Sequence, residues 1–272
     1  DDIAPADKIL YSIRDITATV PQIGLITASI ISKKAAEGLE KLVLDVKYGN
    51  AAFMKREEDA LALAKSMVAT GNGLGMKVIA QVTEMNNPIG RMFGNSHEIV
   101  ECIQCLKGKG PKDTMELILS QADALGYDIR PVIADGSALE EFRNMCIRQG
   151  VSSTDINKII ENAWSVLPRG EVQTLLYSDE SGYIQSIHAL TIGEILCKLG
   201  AGRTGENPNI DHGIGAELLV GIGNEISRGE PWIRFDCNSN LDDKTLTELS
   251  KSLIVTRDKV TDSSRILHTI QD

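Results

Sequence analysis

The stretch Tyr11–Lys34, YSIRDITATVPQIGLITASIISKK, restricts this chain more than any other. It reads as two helical pieces broken at Thr19-Val20-Pro21. Proline has no backbone N–H, so it favours the first position of a helix, where that donor is unpaired in any case. A threonine just ahead of it is suited to cap the exposed donors. The pattern predicts helices over Ala4–Ile13 and Pro21–Glu37, with Gly38 stopping the second. Ile23, Ile26, Ile30 and Ile31 give that second helix an apolar stripe. Ser29 and Lys33 are four apart and share a face, as do Tyr11 and Arg14, three apart. A hydroxyl, a phenol and two cations are therefore set to converge across the bend. Such a group suits a flat, hydrogen-bonding ligand that becomes anionic.

The chain beyond the bend alternates helix and strand. Leu42–Val46 reads as a buried strand, Glu57–Thr70 as a helix and Val78–Thr83 as the next strand. Gly71–Gly75 separates the last two. A dinucleotide fingerprint needs strand, glycines, helix in that order, so this run reads as a helix-ending turn. The succession predicts an α/β layer with parallel strands. Helices are expected over His97–Leu106, Thr114–Leu125, Ala138–Gln149 and Thr154–Val166. From Glu171 to Phe235 glycines recur among short β-type runs, with one helix at Ile192–Leu199. The tail after Leu241 reads as helix or coil. The expected fold is α/β: residues 1–36 as part of a helical lobe, 37–170 as an α/β lobe with a mostly parallel sheet, and 171–272 as a β-rich C-terminal unit with terminal helices.

Charge and cysteine usage narrow the function classes. With 28 basic against 38 acidic residues the net charge is -10, which argues against nucleic acid as a partner. Five cysteines, scattered and odd in number, do not form a secreted disulfide framework and fit a reducing cytoplasm. Cys102 and Cys105 make a CxxC, but no second pair of ligands accompanies it, so no metal is expected there. No apolar run is long enough for a membrane span. Taken alone, Arg14 reads as a partner of Asp7 or Asp15, and Lys33 as part of a solvated face beside Lys34.

Five segments change that reading: RDITATV at 14–20, LITASIISKK at 25–34, DVKYGNAAFMK at 45–55, TEMNNPIGRMFGNSHEI at 83–99 and GIGAELL at 213–219. Together they resemble the pyrimidine-nucleoside phosphorylase family. The resemblance implies that Arg14, Ser29 and Lys33 grip a pyrimidine ring, that Tyr11 supports them, and that Val20 and Phe53 are apolar neighbours of the base. The physical logic is sound. Breaking the glycosidic bond drives negative charge onto the departing pyrimidine, and cations placed there act on the transition state. The implied reaction is phosphorolysis of thymidine or deoxyuridine to the free base and 2-deoxy-ribose 1-phosphate. Inorganic phosphate is the co-substrate and no organic cofactor is required. A homodimer through the helical lobe is implied as well.

Some relatives hold a monovalent cation near the position of Glu98. For this chain the plainer reading is a carboxylate at a helix start. The family's KHSTGG-type phosphate loop lies well before RDITATV, whereas only thirteen residues precede Arg14 here. This chain is accordingly expected to be the C-terminal part of a longer enzyme. The alternative is a non-catalytic pyrimidine-binding protein or partner subunit without a phosphate site. A relative of anthranilate phosphoribosyltransferase ranks lower, because the base-gripping block is specific to the nucleoside phosphorylases.

Overall fold

A computed structural model describes residues 4–203, 208–261 and 263–271, with the backbone alone at Asp15. In chain order the helices are α1 (Pro5–Ile16), α2 (Ile23–Ala36), α3 (Glu57–Gly73), α4 (Asn95–Leu106), α5 (Lys112–Leu125), α6 (Arg130–Ala134), α7 (Ser137–Arg148), α8 (Ser153–Asn162), α9 (Ala189–Leu196) and α10 (Asp243–Ser250). The strands are β1 (Lys41–Tyr48), β2 (Lys77–Glu84), β3 (Met92–Phe93), β4 (Val172–Tyr177), β5 (Gly182–Ile187), β6 (Gly215–Leu218), β7 (Glu225–Ile226), β8 (Pro231–Cys237), β9 (Leu253–Thr256) and β10 (Ile266–Ile270). The α/β class and the β-rich C-terminal part are both present.

By contacts the chain forms two compact units. The first comprises Asp1–Asn86, Leu117–Asp128 and Ser264–Asp272; the second comprises Asn87–Glu116 and Ile129–Ser263. These bounds differ from the composition breaks at 36/37 and 170/171. Two features account for this: the last strand of the chain returns to the first sheet, and residues 87–116 and 129–170 group with the β-rich part.

In the first unit β1 and β2 pair in parallel, from Lys41↔Lys77 to Tyr48↔Glu84. β10 runs antiparallel on the far side of β2, giving the order β1-β2-β10 and a mixed sheet. The tail read as helix or coil is thus a strand over its last residues. ILHTI is too short and too polar to separate strand from coil until it finds the edge of β2. The core joins Leu42 and Val46 of β1, Val78, Ala80 and Val82 of β2, and one face of α3. α3 lies so close to β2 that a side chain at Gly71 would collide with Val78. α2 contributes Ile31, which is almost fully buried in the same core.

The second unit holds two antiparallel sheets, β3-β6-β8-β4 and β7-β5-β9. Trp232, Ile233 and Phe235 of β8 are fully buried, together with Ile184 and Ile187 of β5. A smaller apolar cluster joins Val100 and Ile103 of α4 to Leu139 and Phe142 of α7 and Ile159 of α8. Aliphatic packing dominates throughout, as a chain with 4% aromatic residues requires.

Candidate functional site

Asp7, Tyr11 and Arg14 lie at i, i+4 and i+7 of α1, so they share one face. Ser29 and Lys33 do the same on α2. The two faces meet. Lys33 Nζ donates to Asp7 Oδ2 at 2.8 Å and to Ser29 Oγ at 3.1 Å. Arg14 is 5% exposed and its guanidinium lies over the Tyr11 ring, 5.0 Å from the centroid. Its Nη1 donates to the carbonyl of Leu25 at 3.1 Å, and its Nη2 to that of Val20 at 2.5 Å. Its buried Nε has no hydrogen-bond partner among the described residues. A permanently charged, nearly enclosed donor group with an unmet N–H is costly unless something completes it.

The bend itself departs from the expected capping. Gln22, not Thr19, is the N-cap of α2: its side chain accepts from the backbone N–H of Leu25 at 2.7 Å. Pro21 therefore precedes the helix rather than opening it. Ala18 sits at φ 54, left-handed for a residue with a Cβ, which costs roughly 1–2 kcal/mol. The hydroxyls of Thr17 and Thr19, 2.9 Å apart, and the Thr19 N–H bonded to the Arg14 carbonyl at 3.0 Å hold that conformation. Arg14 thus shapes the bend as well as facing the site.

Electrostatics tie the group together. Burial works to raise the Asp7 carboxyl, but hydrogen bonds from Lys33 and Ser29 and the charges of Lys33 and Arg14 outweigh it and hold the group below its ordinary value. One carboxylate therefore feels both cations. Within the described trio of Asp7, Arg14 and Lys33 the cations outnumber the carboxylate, which suits an anionic ligand.

Of the residues singled out in the sequence, Tyr11, Arg14, Ser29 and Lys33 come together, and Val20 joins through its carbonyl. Phe53 stands apart. It is 70% exposed in the loop after β1, and no hydrogen bond, ion pair or ring contact among the described residues links it to the helical group. Asp7 is the residue whose role the sequence reading missed. Its signal was the shared face with Tyr11 and Arg14.

Other candidates have local partners. At the end of β1, Lys47 Nζ lies 2.5 Å from Asp45 and 2.9 Å from Thr83 Oγ1, and Thr83 donates to Asp45 in turn. Glu98, in the first turn of α4, accepts from the Gly94 N–H at 3.2 Å. Cys105 is buried and Cys102 exposed, and among the described residues no group of His, Cys, Asp and Glu is arranged to hold a metal ion. His97 is fully buried, with Nε2 2.7 Å from Asp236 Oδ2. Asp236 also accepts from Arg169 Nε at 2.8 Å, and that guanidinium lies 4.7 Å over the Trp164 ring. This second cluster braces α4 against β8.

Two family models and several curated relatives match the chain. Residues 2–133 match the glycosyl transferase family a/b domain, and residues 183–254 match the pyrimidine nucleoside phosphorylase C-terminal domain. Rat thymidine phosphorylase is 40% identical over 251 residues, covering 86% of this chain and 53% of that protein. Human thymidine phosphorylase is 38% identical over the same length, with 52% of it covered. Pyrimidine-nucleoside phosphorylase of Bacillus subtilis is 36% identical over 282 residues, covering 99% of this chain and 64% of that protein. The match over residues 2–133 makes this an α/β chain of the glycosyl transferase type. Within that type, the chain belongs to the pyrimidine-nucleoside phosphorylase family. It spans between about half and two thirds of the length of these relatives.

Proposed function

We propose that this chain supplies the base-binding part of a pyrimidine-nucleoside phosphorylase acting on thymidine or deoxyuridine. The observation that carries the reading is Arg14: buried, stacked on Tyr11, with an Nε–H unpaired among the described residues, beside a Lys33 ammonium already aimed through Ser29. In the reaction an oxygen of inorganic phosphate forms a bond to C1′ while the bond from C1′ to N1 breaks. The electron pair leaves on the pyrimidine, and a proton then yields the free base beside 2-deoxy-ribose 1-phosphate. Arg14 and Lys33 stabilise the charge that gathers on the ring oxygens and N3, where it counts most. Ser29 contributes a hydrogen bond to the same edge. Val20 and Phe53 are assigned to the apolar surroundings of the base.

The reading extends to the whole protein. It acts as a homodimer in the cytoplasm, uses phosphate as co-substrate and requires no organic cofactor. Support for the dimer comes from α1, where Ile9, Leu10, Ile13 and Ile16 are exposed at helical spacing. No helix among the described residues is long and apolar enough to cross a membrane.

The test is release of thymine from thymidine by the full-length protein, followed with and without phosphate. Release that requires phosphate, and that falls by roughly 10-fold in Ser29→Ala, is the expected result. Absence of phosphate-dependent release contradicts the reading.

A further inference from the structure

Lys33 has three N–H donors on a tetrahedral ammonium. Two are already committed, one to Asp7 Oδ2 at 2.8 Å and one to Ser29 Oγ at 3.1 Å. With two directions fixed, the third is fixed too. A lysine side chain otherwise loses rotamer freedom when a ligand immobilises it. Here the two anchors meet that cost before any ligand arrives. Asp7 sits on α1 and Lys33 on α2, so the same bond also sets the pairing of the two helices around the bend.

We propose that Asp7 is a positioning residue: it aims the third N–H of Lys33 at the ligand. This inference rests on the base-site reading above and deepens it. A charge argument alone gives the opposite sign, because removing a carboxylate beside an anion site strengthens attraction for an anion. The two accounts therefore separate cleanly.

The experiment is calorimetric titration of the full-length protein with two probes. One is 5-nitrouracil, a pyrimidine acidic enough to be anionic at neutral pH; the other is thymine, which is neutral. The variants are Asp7→Asn, Asp7→Glu, Lys33→Met and the double variant Asp7→Asn with Lys33→Met, each checked for an unchanged melting profile. Asp7→Asn is expected to bind the anionic probe roughly 10-fold more weakly, as for a lost charge-assisted hydrogen bond. Thymine affinity changes less. Asp7→Glu restores most of the loss, and Asp7→Asn has no further effect once Lys33 is gone. If Asp7→Asn binds the anion as tightly as the wild type or more tightly while Lys33→Met weakens it, the positioning role is wrong and the base site stands. If Asp7→Asn weakens binding equally with and without Lys33, Asp7 does not act through the lysine and the proposal falls. If the wild type binds neither probe, the base-site reading falls and takes this inference with it.

Discussion

Arg14 does two jobs that one substitution tests together. Its guanidinium meets the carbonyls of Val20 and Leu25, and its Nε has no hydrogen-bond partner among the described residues. Arg14→Ala removes both part-buried, charge-assisted bonds, each worth about 1.5–3 kcal/mol. It also removes a cation from the proposed transition-state contact, worth ~10²–10³ in rate. The expected outcome is a lower melting temperature together with a loss of turnover of that size, read by calorimetry and by thymine release. Full activity in a stably folded variant contradicts the assignment. The residue types were legible from the bend, since spacing alone placed Tyr11 with Arg14 and Ser29 with Lys33 on common faces. The partner of Lys33 was not, because spacing says which face a residue occupies but not which side chain faces it. Asp7 entered the sequence reading only as a neighbour for Arg14. It is Lys33 that holds it.

At the scale of elements, helices and strands with strong periodicity fell where the pattern placed them, within a few residues. What escaped was pairing between distant segments. β10 was unreadable because its sequence carries no strong apolar alternation, and its strand character comes from the open edge of β2. The brace between α4 and β8 joins His97 to Asp236 across 139 positions, a distance no local pattern spans. This brace makes a prediction. Burial pushes the Asp236 carboxyl up, but hydrogen bonds from His97 and Arg169 and the charges of Arg169 and Arg234 win and hold it below its ordinary value. A depressed folded-state value means the stabilisation is present above the unfolded value and is lost as pH falls through the folded one. Stability measured by denaturant titration is therefore expected to fall on acidification below the ordinary carboxylate range. Asp236→Asn loses about 3–5 kcal/mol at neutral pH, because the Arg169 charge stays behind without its carboxylate, and it shows a shallower acid slope. An unchanged acid slope in the variant contradicts this account.

At the scale of the whole molecule, the apolar stripe of α1 bears on assembly. Ile16 is 84% exposed and Ile9 62% exposed, on a helix whose opposite side carries Asp7, Tyr11 and Arg14. In the proposed dimer this stripe is buried, which steadies the helix that bears half of the proposed base site. Ile13→Glu is expected to convert the dimer to a monomer in light scattering and to weaken base binding at the same time; a dimer that persists in the variant places the interface elsewhere. The fold class was readable as a whole, because helix–glycine–strand order and a glycine-punctuated C-terminal region persist across the chain. The bounds of the two compact units were not, since they depend on where the last strand returns and on which unit the segments 87–116 and 129–170 pack with. The most direct test of the central claim is Lys33→Met in the full-length protein, measured as kcat/KM for phosphorolysis of thymidine. The substitution keeps length and apolar bulk on a half-exposed side chain and removes only the ammonium. The account predicts a fall of ~10²–10³ with the KM for phosphate unchanged. A variant that retains wild-type kcat/KM contradicts it.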